Sequence, residues 1–286
     1  MRAGDRSLLG IAYINVAVIF YALQDGLVRY LTADYPVLQI QFVRSAVMMS
    51  TMLVIIVSLR RFADLRPRRL GLLMFRGYTS LIGVALMYLV LANMALADAF
   101  TIFMTGPIFI ALFGIPILKE KVGLTRAIAI GVGFIGVVVI MEPGSGVATQ
   151  WAIVALLGAA IYGLAMVTTR DLTKSESSLT IVLFTNLFVV AVLLPVQPFI
   201  WVVPPLTDLV LLLAVGALAT LAQFLLAQAY RHASAATVAP FDYVAFIYVV
   251  IVGYLMFGEV PTWQVGLGAA ILIASGLVMV RHERGR

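Results

Sequence analysis

The chain consists of apolar stretches of about 20 residues that follow one another with short connections. A helix needs roughly 20 apolar residues to cross the hydrocarbon core of a bilayer. The connections carry residues that end helices, among them Pro36, Pro67 and Pro261. We therefore predict ten membrane-spanning helices, at residues 8–31, 37–58, 70–93, 97–118, 124–141, 151–169, 179–200, 206–229, 234–257 and 264–280.

The composition excludes an ordinary soluble domain. Of the 286 residues, 63% are hydrophobic and 11% are charged, whereas soluble domains carry about 25% charged residues. The chain has no cysteine, which excludes disulfides, thiolate metal sites and cysteine nucleophiles. The first apolar stretch is about twice as long as the apolar region of a signal peptide and lacks a cleavage motif, so we expect it to be retained as a spanning helix.

The basic residues indicate how the spans are oriented. With a cytoplasmic N-terminus, 17 of the 19 Lys and Arg residues fall in or beside cytoplasmic segments; the others are Arg29, at a span edge, and Arg44, within a span. Cytoplasmic loops of membrane proteins carry such an excess. We predict a bacterial inner-membrane protein with both termini in the cytoplasm. This orientation also explains the basic stretch 60–69, for which we expect no nucleic-acid partner.

The two halves of the chain resemble each other. Similar segments recur in the same order at an offset of 138–142 residues: Tyr21–Leu23 with Tyr162–Leu164, Arg29 with Arg170, Ala95–Ala97 with Ala233–Ala235, and Glu120 with Glu259. Each half has five spans, an odd number, so the halves insert with opposite topology. We predict an all-α integral membrane protein made of two inverted five-helix repeats, residues 1–145 and 146–286, an architecture common among secondary transporters.

Spans five and ten each carry a face of glycines, at Gly131, Gly133 and Gly136 and at Gly266, Gly268 and Gly276. Small side chains let helices pack closely in lipid. A homodimer formed through spans five and ten is one interpretation of these faces.

Ionisable side chains inside a membrane are costly and are candidates for function. Asp25 and Arg44 both lie about 9–12 Å below the outer boundary at 1.5 Å per residue, on neighbouring antiparallel spans. We expect them to form an ion pair, which either locks the two helices together or lines a cavity and responds to substrate. Arg76 lies near the start of span three, from which its long side chain can reach the cytoplasmic surface.

Two proline-containing spans supply further candidates. We expect Pro240 to bend span nine beside Asp242 and Tyr243, and such a kinked polar centre suits either a binding site or a gate, or else helix packing. Pro107 occupies a similar position in span four, close to Thr105.

Other polar side chains within the spans are substrate-binding candidates, with hydrogen bonding between helices as the alternative: Tyr78 and Tyr88 in span three and Gln223 in span eight. Glu120 and Glu259 fall at span ends, where we expect capping of hairpins rather than transport chemistry. The pattern indicates no catalytic residue, cofactor or metal.

Several segments resemble the EamA-type members of the drug/metabolite transporter superfamily. They are Tyr21–Asp25, Gln41–Arg44, the run from Ala95 through Pro107 to Glu120, and Ala239–Tyr243 followed by Phe257–Pro261. The resemblance implies a carrier of amino acids or other metabolites, with S-adenosylmethionine, riboflavin and drugs as alternative substrates. It also implies a central cavity lined by spans one, three, four, six, eight and nine.

These observations favour a secondary transporter that moves a small polar or amphipathic metabolite by alternating access. An intramembrane enzyme fits less well, because the chain lacks cysteine, His/acid metal clusters, a GxSxG element and a sizeable aqueous domain. A channel or a structural membrane subunit is the remaining alternative, although no filter-like repeat is present.

Overall fold

The structure, a computed structural model, describes residues 3–118, 147–232 and 244–284, and positions 128, 131–132, 135–136 and 139. All regular structure in these parts is helical. The helices are α1 (Ala3–Leu31), α2 (Val37–Ser58), α3 (Leu70–Asn93), α4 (Leu96–Phe103), α5 (Gly106–Leu118), α6 (Val147–Leu172), α7 (Ser178–Leu193), α8 (Gln197–Ile200), α9 (Leu206–His232), α10 (Ala245–Phe257) and α11 (Trp263–Arg284).

Seven helical segments among the described residues are long and apolar enough to cross a membrane: Leu8–Leu31, Val37–Ser58, Leu70–Asn93, Leu96–Ile117, Gln150–Leu172, Ser178–Ile200 and Leu206–Ala229. They correspond to predicted spans one to four and six to eight. Two shorter apolar helices, Ala245–Phe257 and Trp263–Ser275, overlap predicted spans nine and ten. Most of predicted span five lies outside the described residues. The chain is therefore a multi-pass membrane protein whose described residues contain helices as their only regular structure.

Predicted span four is two helices rather than one. Helix α4 ends at Phe103, two turn residues follow, and α5 begins at Gly106 with Pro107 in its first turn. Proline has no N–H to donate to the preceding turn, so it is tolerated at a helix start but interrupts a helix interior. The hydroxyl of Thr105 donates to the carbonyl of Ile102 at 2.7 Å, which satisfies one carbonyl at the break.

The first four spans pack chiefly against helices from the second half of the chain. Helix α1 packs along α9 and α10, α2 along α7 and α9, α3 along α6 and α7, and α4 against α6 and α10. In α1 and α9 the N-terminal part of one lies beside the C-terminal part of the other, since Ile14 packs with Ala229 while Tyr35 contacts Asp208. The two helices are therefore antiparallel.

Glycines permit close approaches between helices, as Gly216 and Gly163 illustrate. A Cβ at Gly216 of α9 would lie 2.5 Å from Cβ of Val47 in α2. A Cβ at Gly163 of α6 would lie 2.9 Å from the backbone carbonyl carbon of Phe109 in α5. Real Cβ atoms are essentially never found this close to other atoms, so the helix pairs can adopt this spacing only with glycine at both positions.

Hydrogen bonds and ion pairs join the loops at one end of the bundle. The backbone N–H groups of Arg68 and Arg69 donate to Oε1 of Glu176 at 2.7 and 2.6 Å, and Arg69 also pairs with Asp171 at 2.8 Å. We call this the basic end; it consists of the loops 59–69 and 173–177.

The opposite end is held by polar contacts near the start of α2. Gln39 exchanges two hydrogen bonds with the backbone of Val202, at 2.8 and 2.9 Å. The hydroxyl of Tyr35 donates to Oδ2 of Asp208 at 2.6 Å, and this hydrogen bond raises the pKa of Tyr35 to about 12. These contacts tie α2 and the loop before it to the start of α9.

The predicted glycine faces of spans five and ten meet within the chain. A Cβ at Gly136 would lie 3.2 Å from the carbonyl oxygen of Gly268 and 3.1 Å from Cγ2 of Ile271. At Gly131 and Gly266, by contrast, added Cβ atoms would meet nothing within 4 Å. Part of each glycine face is thus used inside the protomer and part faces open space.

Candidate functional site

Asp25 is a buried carboxylate on the second half of α1. Its side chain is 6% exposed, and Nε2 of Gln24 donates to its Oδ1 at 3.0 Å. A buried carboxylate needs hydrogen-bond donors because the surrounding apolar groups cannot solvate it. The neighbouring amide supplies one donor from the same helix.

The predicted ion pair between Asp25 and Arg44 is not a direct one. Both residues are described, yet their charged groups do not come within salt-bridge distance; Gln24 lies between them. Nε of Arg44 approaches Oε1 of Gln24 at 3.5 Å, at the limit of hydrogen bonding, while the amide nitrogen of Gln24 bonds to Asp25. A glutamine amide carries both an acceptor and a donor, so it can face a guanidinium and a carboxylate at once. The prediction of proximity was correct, and that of direct contact was wrong.

Tyr88 is the third predicted residue at this place. Its side chain on α3 is 1% exposed, and its hydroxyl is buried without a hydrogen-bond partner among the described residues. It lies close enough to Asp25 and Arg44 to interact with both electrostatically. We call Gln24, Asp25, Arg44 and Tyr88 the central polar cluster.

Arg76 lies on the same helix about 18 Å from Tyr88, at 1.5 Å per residue. Its Nε donates to Oγ1 of Thr169 on α6 at 2.6 Å, and its Nη1 is buried without a partner among the described residues. The guanidinium of Arg76 therefore contacts a neighbouring helix and does not extend fully to the surface. It lies within electrostatic range of Arg44.

A small cavity adjoins the central polar cluster. It is lined by Asp25, Met87, Leu91, Leu96, Phe100 and Val249. These residues belong to α1, α3, α4 and α10, the first, third, fourth and ninth of the predicted spans. The space between these side chains has no room for a water molecule, whereas ligand pockets begin at roughly 300 Å³. The bundle is therefore closed around this point, with one acid and five apolar side chains as the walls.

The remaining predicted residues are placed differently. Tyr78 is 52% exposed, and ten helical positions separate it from Tyr88, so the two tyrosines point to different faces of α3. Thr105 is fully buried beside the break before Pro107, and Gln223 is half-buried on α9. The predicted residues Pro240, Asp242 and Tyr243, and also Glu120, lie outside the described residues.

Gln24 is the member of the cluster that sequence reasoning missed. It was visible as a polar residue in an apolar span, next to the acid. The signal that could have identified Gln24 is its position beside Asp25, because an amide next to a buried carboxylate can bridge to a cation on the next helix. Within the described part of the chain, no group of three or more His, Cys, Asp or Glu residues could hold a metal ion.

Comparison with known proteins gives matches over almost the whole chain. The model of the EamA-like transporter family matches residues 8–142 and, a second time, residues 149–281. A riboflavin transporter of Vibrio cholerae is 29% identical over 96% of this chain and 94% of its own length. A riboflavin transporter of Rhizobium johnstonii is 33% identical over 68% of this chain and 65% of its own length. A crystal structure of a protein with 14% identity superposes with a TM-score of 0.66 over 98% of both chains, a likeness of fold alone.

Proposed function

The chain belongs to the EamA-like transporter family, and on that premise we propose that its central polar cluster binds the metabolite it transports. The protein is a membrane transporter of a small metabolite. In this proposal it moves the substrate unchanged by alternating access, and the cavity beside Asp25 is the closed form of the binding site.

The observation that supports this site is a buried hydrogen-bond donor without a partner, beside a half-buried arginine. The hydroxyl of Tyr88 is buried and has no partner among the described residues, and the half-buried Arg44 makes one long contact, to Gln24. A buried donor without an acceptor costs about 1–3 kcal/mol of free energy. Acceptor atoms of a substrate would remove that cost, so the cluster favours a substrate with carbonyl or carboxylate oxygens.

The apolar walls add a second requirement. Met87, Leu91, Leu96, Phe100 and Val249 offer no polar side-chain atom apart from the methionine sulfur. A flat, partly apolar ring with carbonyl groups on one edge would match both the walls and the donors. Riboflavin has this shape and chemistry, and it is the substrate named for the relatives above. We propose riboflavin, or a metabolite with a similar ring, as the substrate.

The pairing of helices supports two inverted repeats. In two inverted repeats, each span of one half corresponds to the span five places away in the other half. The contact of α1 (span one) with α9 (span eight) then corresponds to the contact of α6 (span six) with α3 (span three). In the same way, the contact of α2 with α9 corresponds to that of α7 with α3. The contact of α1 with α10 (span nine) corresponds to that of α6 with α4 (span four). The family model, which matches the chain twice, supports the same duplication. We propose ten spans in two inverted halves, divided near residue 145.

The proposed orientation places the basic end in the cytoplasm of a bacterial cell, beneath the inner membrane. The loop 59–69 carries five arginines, and this loop lies beside the loop that contains Lys174. A reporter fused after Arg286 should be active only in the cytoplasm. Activity on the outer side would contradict the ten-span arrangement.

The substrate proposal is tested by ligand stabilisation of the purified protein and by flux in liposomes. Riboflavin should raise the melting temperature in a concentration-dependent way and show saturable counterflow, whereas S-adenosylmethionine and amino acids should do neither. Stabilisation by S-adenosylmethionine instead would refute riboflavin as the substrate but would remain consistent with a carrier.

Two tyrosine variants test the site itself. Tyr88→Phe removes one buried hydroxyl and should raise the Kd for riboflavin about fivefold, the equivalent of one hydrogen bond of about 1 kcal/mol. Tyr254→Phe is the matched control, because Tyr254 is 61% exposed on α10, and it should leave the Kd unchanged. Equal effects of the two variants would refute the central polar cluster as the binding site.

A further inference from the structure

A second group of charges lies at the end of the bundle opposite the basic end. Arg29, in the last turn of α1, forms an ion pair with Oε1 of Glu259, which follows α10. The guanidinium carbon of Arg29 also lies 4.6 Å from the ring centroid of Phe257, a cation–π distance. The two charged side chains are 20% and 19% exposed, so water reaches this ion pair only in part.

The other carboxylate oxygen of Glu259 joins a third helix. Oε2 accepts a hydrogen bond from the backbone N–H of Leu96, the first residue of α4, at 2.9 Å. A carboxylate at a helix N-terminus satisfies an otherwise unpaired N–H and interacts favourably with the helix dipole. Glu259 thus caps a helix, as expected for a residue at a span end, but the capped helix belongs to the other half of the chain. We call Arg29, Leu96, Phe257 and Glu259 the clasp.

The clasp joins the helices that line the cavity. Leu96 is a member of both, and α1, α4 and α10 supply Asp25, Phe100 and Val249 to the cavity wall. The contacts of Tyr35 with Asp208 and of Gln39 with Val202 at this end hold α2 and α9, which contribute nothing to that wall. Separating these three helices at this end therefore means breaking the clasp.

Glu259 stands on a short non-helical connection. Helix α10 ends at Phe257, and Gly258 has φ +68°, a left-handed conformation that glycine adopts without strain. The segment 258–262 then leads to α11. The N–H groups of Gly258 and Glu259 bond to carbonyls of α10 at 2.9 and 3.2 Å, so the carboxylate can withdraw from Arg29 and Leu96 by rotation of its side chain, without unwinding α10.

We propose that Arg29 and Glu259 are the gate residues of this end of the transporter. With the clasp formed, the cavity is closed on the side opposite the basic end; with the clasp broken, α4 and α10 separate from α1 and the cavity opens there. The proposal requires a carrier but not a particular substrate, so the failure of riboflavin as a substrate would leave it intact.

The absence of cysteine from the sequence provides a direct assay. Val249→Cys places one thiol in the cavity wall, and its reaction with a membrane-impermeant maleimide reports access from each side of the membrane. Single cysteines at the exposed residues Thr207 and Thr173 mark the clasp side and the basic side. Intact cells and inverted vesicles then separate the two directions.

Breaking the clasp should open one side only. Combined with Val249→Cys, Arg29→Gln should raise the labelling rate from the clasp side at least about tenfold, which corresponds to about 1.4 kcal/mol in the closing equilibrium. Glu259→Gln should raise the labelling rate in the same way, because it keeps an acceptor for the N–H of Leu96 but loses the charge. If Arg29→Gln does not fold, Glu259→Gln alone tests the proposal.

The matched control is Arg69→Gln, which breaks the ion pair with Asp171 at the basic end. It should not raise labelling from the clasp side. The proposal is overturned if, in both clasp variants, the thiol introduced by Val249→Cys is labelled from that side at the parental rate. It is also overturned if Arg69→Gln raises the rate equally. Because the assay uses no substrate, its outcome is independent of the flux experiments.

Discussion

Replacing Gln24 by leucine tests the bridge between Asp25 and Arg44. The substitution keeps approximate size and removes the amide. The 3.0 Å hydrogen bond to Asp25 is worth about 1–3 kcal/mol. The 3.5 Å contact with Arg44 is long and is worth no more than about 0.5 kcal/mol. We therefore expect Gln24→Leu to lower the free energy of unfolding by about 1–3 kcal/mol, nearly all of it through Asp25.

Double-mutant cycles separate these contributions. Thermal or denaturant unfolding in detergent is measured for Gln24→Leu, Asp25→Asn, Arg44→Gln and their combinations. Gln24 should couple to Asp25 more strongly than to Arg44. The coupling between Asp25 and Arg44 should shrink when Gln24→Leu is present, because the bridge is gone. If that coupling persists or grows without Gln24, the two charges interact directly and the bridge is not the link.

Three further predictions concern other parts of the chain. Gly163→Ala should lower the melting temperature by a few degrees, since overpacking costs about 1–3 kcal/mol, whereas Gly71→Ala, where a Cβ would meet nothing within 4 Å, should not lower it. Tyr35→Phe should destabilise the protein below pH 10. The difference should diminish between pH 10 and 12, because the neutral hydroxyl that bonds Asp208 has a pKa of about 12 when folded and 10 otherwise; melting curves across this range test it. Asp242→Asn should reduce liposome flux or change its pH dependence without preventing folding, and parental flux at every pH would show that this charge is dispensable.

The predicted helix boundaries agree closely with the structure where the thickness of the membrane determines the length of the helix. The predicted spans 37–58 and 70–93 coincide with α2 and α3, because the apolar length and Pro36 leave little freedom. Span four was predicted as continuous, and the structure interrupts it before Pro107. Proline was visible in the sequence, but whether it kinks or interrupts a helix depends on which neighbouring groups satisfy the freed carbonyls.

The depth of the candidate-site residues in the membrane was predictable from the sequence, but their side-chain contacts were not. Helix geometry alone placed Asp25 and Arg44 at one level. The bridge through Gln24 depends on side-chain conformations that a repeat of 1.5 Å per residue does not specify. The contact of Arg29 with Glu259 joins residues 230 positions apart, and it becomes evident only when α1 and α10 are packed together. Sequence patterns report local periodicity, and such long-range pairs lie beyond them.

The packing of early helices on late ones has a consequence for biosynthesis. The main neighbour of α1 is α9, whose last residue is synthesised roughly 200 residues after α1 ends. At about 5–20 residues per second, this corresponds to an interval of about 10–40 s. During that time the newly inserted α1 has lipid, or the insertion machinery, in the place of its final partner. Premature termination would therefore leave a membrane-embedded fragment with unmatched helix faces, a natural substrate for quality-control proteases of the membrane.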